Sequence, residues 1–449
     1  MINFANVEKY IENNRIEAKK SLGGLPHSIW ETYSAFANTF GGIILLGVEE
    51  HKDKSFHPIN LPNPQKLIEE FFYILNNTDK VSKNILSDED VNIINIDGKS
   101  IIAIEIPRAK RSDRPIFVGG NISESYRRNG EGDYKCTKEE ISSMLRDASS
   151  KTYDMQVLCD IDISCFNSRT IDNFCNMCHI DNCLEFSGAL QNSDNNKFHP
   201  TVGGLLMFGK YEEILSHFPF YSLNYYDNND SRTFEGNVFD FYLHVTNWIL
   251  NKIKSNLLDP FVEKIINEAI ANCLIHADYN CTGKIEIGIK DGVITISNPG
   301  TFRIDVEKAK SGGISDPRNQ AISNMFNMIK IGTGTGSGIS SIYSICQKRK
   351  WPAPIITENT NPPQTTLMIF TDEISKNDII KKKSFADITV KQAAIINYLT
   401  EKITAKTSDI SALLNISPSS SRKLLKLMEQ NNIIVHSGKT RGRLYRLKS

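Results

Sequence analysis

Apolar and polar positions along this chain predict several α/β parts. Residues 26–39 read as a helix, Gly41-Gly42 as a turn, and the apolar run 43–48 as a buried strand. Residues 101–106 read as a second strand, and 137–148 as a helix opened by a Thr-x-x-Glu capping box. The run 201–209, Thr-Val-Gly-Gly-Leu-Leu-Met-Phe-Gly, reads as a buried strand whose glycines allow close packing. Residues 221–226 read as an alternating strand, and the polar stretch 191–197 as a loop. Residues 373–384, with Lys381-Lys382-Lys383, read as a solvated connector.

Between 266 and 276 the pattern changes character. Glu268, Asn272 and His276 recur at i, i+4 and i+8, so on a helix they form one polar stripe. Ile266, Ala269, Ile270, Cys273 and Leu274 face mostly elsewhere. A carboxylate, an amide and an imidazole on one face make a poor core and a good site. Two strands follow, 284–290 and 293–297, joined through Asp291-Gly292 and ending in the turn Asn298-Pro299-Gly300. About thirty residues on, Gly332-Thr-Gly-Thr-Gly-Ser-Gly338 runs into an apolar helix.

The last part alternates short helices with a hairpin. Residues 395–399 belong to a first helix, 407–414 to a capped second, and Asn415-Ile416 to a turn. A third begins at Ser417-Pro418, an N-cap followed by proline at N1, with Leu424, Leu425, Leu427 and Met428 as its core stripe. A hairpin with the basic tip Lys439-Thr-Arg441-Gly-Arg443 closes the chain.

Composition narrows the picture. A chain of 449 residues is too long for one core. No run of about eighteen apolar residues predicts a membrane span, and no N-terminal basic-then-apolar pattern predicts a signal peptide. Nine scattered cysteines suit a reducing cytoplasm. The net charge of zero hides an asymmetry, because residues 391–449 carry eleven Lys and Arg against three Asp and Glu, a net of +8. A basic tail on a neutral chain points to a polyanionic partner. Cys175, Cys178, His179 and Cys183 offer four zinc-capable ligands, and Cys-x-x-Cys-His is also the haem-attachment string. Ligands so close need a partner loop to complete a tetrahedron, so small core residues are expected there instead.

The order of polar helix, hairpin ending in Asn-Pro-Gly, and Gly-rich loop entering a helix resembles the Bergerat-type α/β-sandwich ATP-binding module of gyrase, Hsp90, histidine kinases and MutL, over residues 255–372. Residues 12–19 and 34–49, with Pro115 and Tyr126-Arg127-Arg128, resemble the Schlafen-type (divergent AlbA) α/β domain, here 1–150. Residues 385–449 resemble a winged helix-turn-helix, and 151–254 form a connecting α/β region. This combination is similar to a bacterial RecG-related group of predicted transcriptional regulators.

The resemblance implies specific roles. Asn272 would give its amide oxygen to Mg²⁺, Glu268 would orient or deprotonate the attacking water, and His276 would lie near the phosphates. Gly334, Gly336 and Gly338 would let backbone approach the phosphates, and Gly300, in the turn Asn298-Pro299-Gly300, would belong to the nucleotide-binding set. Asn298 stands where many relatives carry an adenine-binding Asp, and an amide can also accept from the exocyclic amine. Thr365 and Thr366 match the place of a threonine near adenine. Ala277 replaces an arginine usual in the close group, and Arg318-Asn319 matches that group's Arg-Asn pair. In Schlafen proteins two glutamates and a later acid form a metal-dependent nuclease site. The matching positions are Glu12, Glu17 and Glu49, with Glu50 as a substitute, and Mg²⁺ or Mn²⁺ as metal. Glu17 and Lys19 share a strand face, whereas Glu12 requires a break near Asn13-Asn14.

Arg108, Lys110, Arg111, Arg114, Arg127 and Arg128 are candidates for a phosphate-binding patch or equally for a solvated face. Ser419, Ser420, Ser421, Arg422 and Lys423 begin the expected recognition helix, with Lys439, Arg441 and Arg443 in the wing. The leading expectation is a cytoplasmic regulator, in transcription control or phage defence. It would bind ATP and Mg²⁺, hydrolyse ATP slowly, contact DNA and also RNA, and form homo-oligomers. The alternatives are an ATP-controlled metal-dependent nuclease and a non-catalytic scaffold.

Overall fold

The computed structural model describes residues 15–51, 55–180, 183–192, 197–253, 259–331 and 336–371. In the C-terminal part it describes 395, 398–399, 404–414, 417–430, 434–437 and 443–447. Residues 1–371, apart from 350–352, cluster as one compact unit, and residues 372–449 with 350–352 as a second. Among the described residues no helix is long and apolar enough to cross a membrane.

The first unit begins with β1 (Ile16–Lys19), α1 (Ile29–Asn38), β2 (Gly42–Leu46), β3 (Val48–Glu50), β4 (Phe56–Pro58) and α2 (Pro64–Leu75). It continues with β5 (Val91–Ile96), β6 (Lys99–Ile106), the hairpin β7 (Tyr126–Asn129) and β8 (Gly132–Lys135), and α3 (Lys138–Ala148). The sheet runs β1-β2-β6-β5, with β1 parallel to β2 and the other pairs antiparallel. Alternation along β2 explains why its sequence is wholly apolar. Ile44 and Leu46 join one core with Tyr33, Phe36 and Phe71, while Leu45 joins another with Val48 and Phe56. The strand expected over 43–48 is interrupted at Gly47, whose φ of +82° and crowding by Leu61 exclude a side chain. The capping box of α3 forms as read, with Glu140 N–H donating to Thr137 Oγ1 at 3.2 Å and Thr137 N–H to Glu140 Oε2 at 2.7 Å.

Next come α4 (Ser168–Cys178), α5 (Cys183–Phe186), β9 (Leu190–Asn192), β10 (Phe198–Pro200), α6 (Val202–Phe208) and α7 (Tyr211–His217). The strand read at 201–209 is therefore corrected to a helix, capped by Thr201 accepting from Gly204 N–H at 3.0 Å. All seven of its residues are buried, so no polar face reveals the period. Its glycine serves close packing all the same, since a Cβ on Gly204 would meet Ala189 O at 2.1 Å. Cys175 and Cys183 are disulfide-bonded and Cys178 is buried, and among the described residues no cluster of three metal-ligating side chains forms.

A second, six-stranded sheet follows. Its elements are β11 (Leu223–Tyr226), β12 (Ser231–Phe234), α8 (Val238–Lys252), α9 (Pro260–His276), β13 (Ile285–Lys290), β14 (Val293–Pro299), α10 (Val306–Ser311), α11 (Gln320–Met328), α12 (Gly338–Lys348), β15 (Ile355–Thr360) and β16 (Pro363–Phe370). The order is β12-β11-β13-β14-β16-β15, antiparallel except for the β11–β13 pair. Two strands and α8 thus come from before residue 255. Helices α8 and α9 pack on β13 and β14, and α12 packs against α9.

The second unit holds α13 (Thr407–Leu414), α14 (Pro418–Gln430), β17 (Ile434–Ser437) and β18 (Leu444–Leu447). Its core joins Ile395, Leu399, Ala405, Ile410, Leu425, Met428, Ile434 and Tyr445. Leu427, read as part of that stripe, is instead 47 % exposed.

Candidate functional site

Helix α9 begins at Asp259, whose carboxylate accepts from Phe261 and Val262 N–H at 2.9 Å, with Pro260 at the first turn. It is buried almost all round, so its polar stripe faces a cavity and not bulk water. That cavity spans about 1120 Å³ when the open solvent at its mouth is counted. Glu268, Asn272 and His276 line one wall. Asn298, Ile296, Thr365 and Leu367, on β14 and β16, line another. Thr301–Ile304 and Ile314–Pro317 form a rim, and Gly336 and Gly338 close the side beside α12.

Gly338 makes the tightest approach. A Cβ there would stand 2.6 Å from Asn272 Nδ2 and 3.1 Å from Glu268 Oε1, so the first residue of α12 abuts the polar stripe directly. Gly336 has a φ of +72°, and its Cβ would meet Ile314 O at 2.2 Å. Gly334 lies outside the described residues. Gly300 also serves the packing of an arginine. Its φ of +94° and its absent Cβ make room for the Arg318 guanidinium, 2.1 Å from where that Cβ would stand.

Asn298 is buried, and its Nδ2 donates to Pro299 O at 3.0 Å, which leaves Oδ1 as the acceptor. Opposite it in the ladder stands Thr365, whose hydroxyl donates to Gly300 O at 2.9 Å. The assignment to Thr366 is corrected: its hydroxyl pairs with Ser297 Oγ at 2.8 Å, one residue out of the register that lines the cavity.

Arg318 and Asn319 finish α9. Arg318 donates to His276 O at 2.8 Å, and Asn319 Nδ2 donates to Ile275 O and Ala277 O at 3.0 and 2.8 Å. These are carbonyls that a helix C-terminus leaves without partners. Burial, reinforced by the nearby Arg318 and Arg303 charges, pushes the His276 imidazole down to about 4, so the ring is neutral at pH 7. Burial alone would raise the Asp147 carboxyl, but Arg318, Arg303 and Arg114 hold it down at about 2. Arg303 and Asp316, which line the rim, were not anticipated. Single charges in a loop carry no period that would mark them.

In the N-terminal domain, Glu17 pairs with Lys19 at 3.1 Å and with Arg128 at 2.9 Å, and Glu49 pairs with Lys20 at 2.6 Å. Glu12 lies outside the described residues. The proposed arginine patch is corrected. Arg108 reaches Glu358, Arg111 reaches Asp316, Arg127 reaches Glu140, Arg128 reaches Glu17 and Asp133, and Arg114 is only 7 % exposed. Lys110 is exposed, whereas Arg108, Arg111 and Arg127 are half-buried. In the second unit Ser420, Arg422 and Lys423 are exposed, and Arg443 is half-buried. Lys439 and Arg441, and the side chain of Ser419, lie outside the described residues.

Residues 12–137 match the family described as "Schlafen, AlbA_2". Residues 283–368 match the family described as "Putative ATP-dependent DNA helicase recG C-terminal", and 142–224 match a domain of unknown function, DUF8451. No curated protein matches the chain. The crystal structure of the DIP2311 protein from Corynebacterium diphtheriae is similar over 97 % of this chain and 95 % of its own, at 15 % identity and a TM-score of 0.41. The solution structure of the N-terminal domain of a RecG-related protein from Nitrosomonas europaea is 27 % identical, over 28 % of this chain and 84 % of its own, with a TM-score of 0.22.

Proposed function

We propose that the cavity between α9, α12 and the rim is a Bergerat-type site for ATP with Mg²⁺, and that its occupancy controls how the chain engages nucleic acid. The observation that carries this reading is the close approach of Gly338 to Asn272 and Glu268, which leaves no room there for even a Cβ. It sets a glycine-bounded helix N-terminus, favourable to anions, beside an amide and a carboxylate suited to a hard cation and its water. Asn272 would hold Mg²⁺ through its amide oxygen, and Glu268 would orient water for a slow hydrolysis. The neutral His276 would hydrogen-bond near the phosphates without adding charge. The Asn298 Oδ1 acceptor, next along the sheet face from the Ile296–Leu367 pair, suits the exocyclic amine of adenine.

The second unit supports the nucleic-acid half of the reading. Its two helices and hairpin suit a winged helix-turn-helix, and Ser420, Arg422 and Lys423 stand exposed on the first turns of α14, the expected recognition helix. The engagement of Glu17 by Lys19 and Arg128 favours a binding role for the N-terminal domain over cleavage. A regulator whose copies pair when nucleotide is bound accounts for these features together.

Calorimetric titration of the full chain with MgATP, beside Asn272→Ala, tests the site. Wild type should bind, and the variant should lose about tenfold or more in affinity, about 1.4 kcal/mol. Equal affinities in the presence of Mg²⁺ would remove Asn272 from the site and the reading with it.

A further inference from the structure

We infer that the N-terminal domain supplies positioning residues for the nucleotide cavity. Arg108, Arg111 and Asp147 hold the two rim segments in place, so ligand binding and the N-terminal domain act on each other through the rim. The inference rests on the reading above for the identity of the ligand and for nothing else.

Arg108 grips the first rim segment. Its backbone is fixed by the domain it belongs to: Gly41 lets the exit of β6 approach closely, since a Cβ there would meet Ile106 O at 2.6 Å, and Ala109 N–H donates to Ala37 O at 2.8 Å. The Arg108 guanidinium also lies 5.7 Å from the centroid of the Phe40 ring. From that anchor its fork crosses to the other domain. NH1 stands 3.3 Å from each oxygen of Glu358, while NH2 donates to Phe302 O at 2.8 Å and Thr301 Oγ1 at 3.2 Å. Glu358 in turn accepts from Phe302 N–H at 2.6 Å. One ion pair therefore holds both backbone polar groups of Phe302, a residue that lines the cavity.

Glu358 is also placed to transmit. It pairs across the ladder with Thr365, and Thr365 with Asn298, so the three form one row of cross-strand neighbours on a sheet face. Its side chain is 7 % exposed and that of Arg108 14 %, so water does little to weaken the bridge.

The second rim segment is gripped likewise. Arg111 Nε donates to Asp316 Oδ2 at 2.6 Å, and Asp147, the penultimate residue of α3, receives both arms of Arg318 at 3.0 and 2.9 Å. Arg318 donates onward to Thr301 O at 2.9 Å. Thus the carbonyls of Thr301 and Phe302 are each held by a guanidinium tied to the N-terminal domain, one belonging to that domain and one clamped by it. A ligand that shifts the rim must disturb these bonds, and a partner that moves the N-terminal domain must disturb the rim. Linkage makes the two effects equal in free energy.

The test uses the full chain, MgATP's non-hydrolysable imido analogue as probe, and the variants Arg108→Ala, Glu358→Gln and their double. Each single variant should weaken probe binding about fivefold or more. The double should be no weaker than the worse single, because both remove one bridge. Hydrogen exchange supplies a readout that a general loss of stability would not move. Probe should slow exchange across residues 106–114 in wild type and not in Glu358→Gln, although Glu358 lies outside that segment. Lys135→Ala, which breaks an exposed pair with Glu124 in the same domain, should leave all of these unchanged. Wild-type affinity in both singles, or a multiplicative loss in the double, would overturn the inference. Should wild type bind no nucleotide, the ligand reading fails by itself. Exchange at 301–304 in Arg108→Ala then decides the positioning role, with unchanged protection counting against it. Should Arg108→Ala not fold, Arg108→Lys, which keeps the charge and loses the fork, takes its place in each comparison.

Discussion

Between residues 108 and 128 the chain carries five arginines, and α14 and β18 of the second unit carry a comparable density of positive charge. The two sets behave differently. In the first, Arg108, Arg111, Arg127 and Arg128 each meet a carboxylate and Arg114 is buried, where burial and the neighbouring Arg108 lower its pKa to about 10. In the second, Arg422, Lys423, Lys426 and Arg446 face solvent. Positive charge within a folded domain can join parts as well as offer a surface for phosphate. The number of acidic partners within reach decides which. Glu17, Asp133, Glu140, Asp316 and Glu358 meet the first set, five acids for five arginines, whereas residues 391–449 contain three acidic residues for eleven basic ones.

The sharpest way to test this contrast is to remove Arg318, a buried arginine joined to the N-terminal domain through Asp147 in the same manner as the first set. Arg318→Ala should cost about 3–5 kcal/mol, because it strands the Asp147 carboxylate and the carbonyls of His276 and Thr301 in a poorly hydrated place. Urea denaturation of the first unit would measure it. Arg318→Lys should recover little, since an ammonium cannot reach both Asp147 oxygens and two carbonyls in one plane. A loss below about 0.5 kcal/mol, the range of ordinary surface changes, would mean that the junction's arginines are surface residues after all.

How much of this was legible in the sequence depends on the range of the signal. The stripe of Glu268, Asn272 and His276 could be read because helical spacing is local, and so could the capping box at Thr137 and the hairpin at Asp291-Gly292. The helix over Val202–Phe208 could not, because a segment buried on every side has no polar phase. Thr365 and Thr366 differ by one residue in register, and only the pairing with β14 separates them. The fate of the arginines was least legible of all. Arg108 finds Glu358 at a separation of 250 residues and Arg111 finds Asp316 at 205, distances at which charge pattern along the chain carries no information.

A smaller effect separates the buried charges by pH. His276 is held at about 4 against an ordinary value near 6.5, so between those values the unfolded chain takes up a proton that the folded ring refuses. Stability from this group is complete above about pH 6.5 and falls as pH drops toward about 4. Asp154 works the other way. Burial pushes its carboxyl up to about 6, so its contribution is present below its unfolded value and fades as pH rises through about 6. The measurement is therefore a difference: denaturation of wild type against His276→Gln from pH 4 to 7. The gap should favour wild type progressively as pH rises. A gap that does not change with pH would mean that neither the burial of the ring nor the charges of Arg318 and Arg303 bear on it.

The smallest change in stability, and the clearest test of the other half of the contrast, belongs to α14. Arg422→Ala and Lys423→Ala remove exposed side chains with no carboxylate near them among the described contacts, so each should alter stability by less than about 0.5 kcal/mol. If these charges meet phosphate, each removal should weaken binding to duplex DNA at low salt and lower the slope of log affinity against log salt by about 1. Arg127→Ala should do the reverse, since its guanidinium is engaged by Glu140: a loss of stability with the salt slope unchanged. A salt slope that falls equally for Arg127 and Arg422 would show that the ion pairs of the N-terminal domain open to receive phosphate, and that the two sets of arginines differ only while the protein is free.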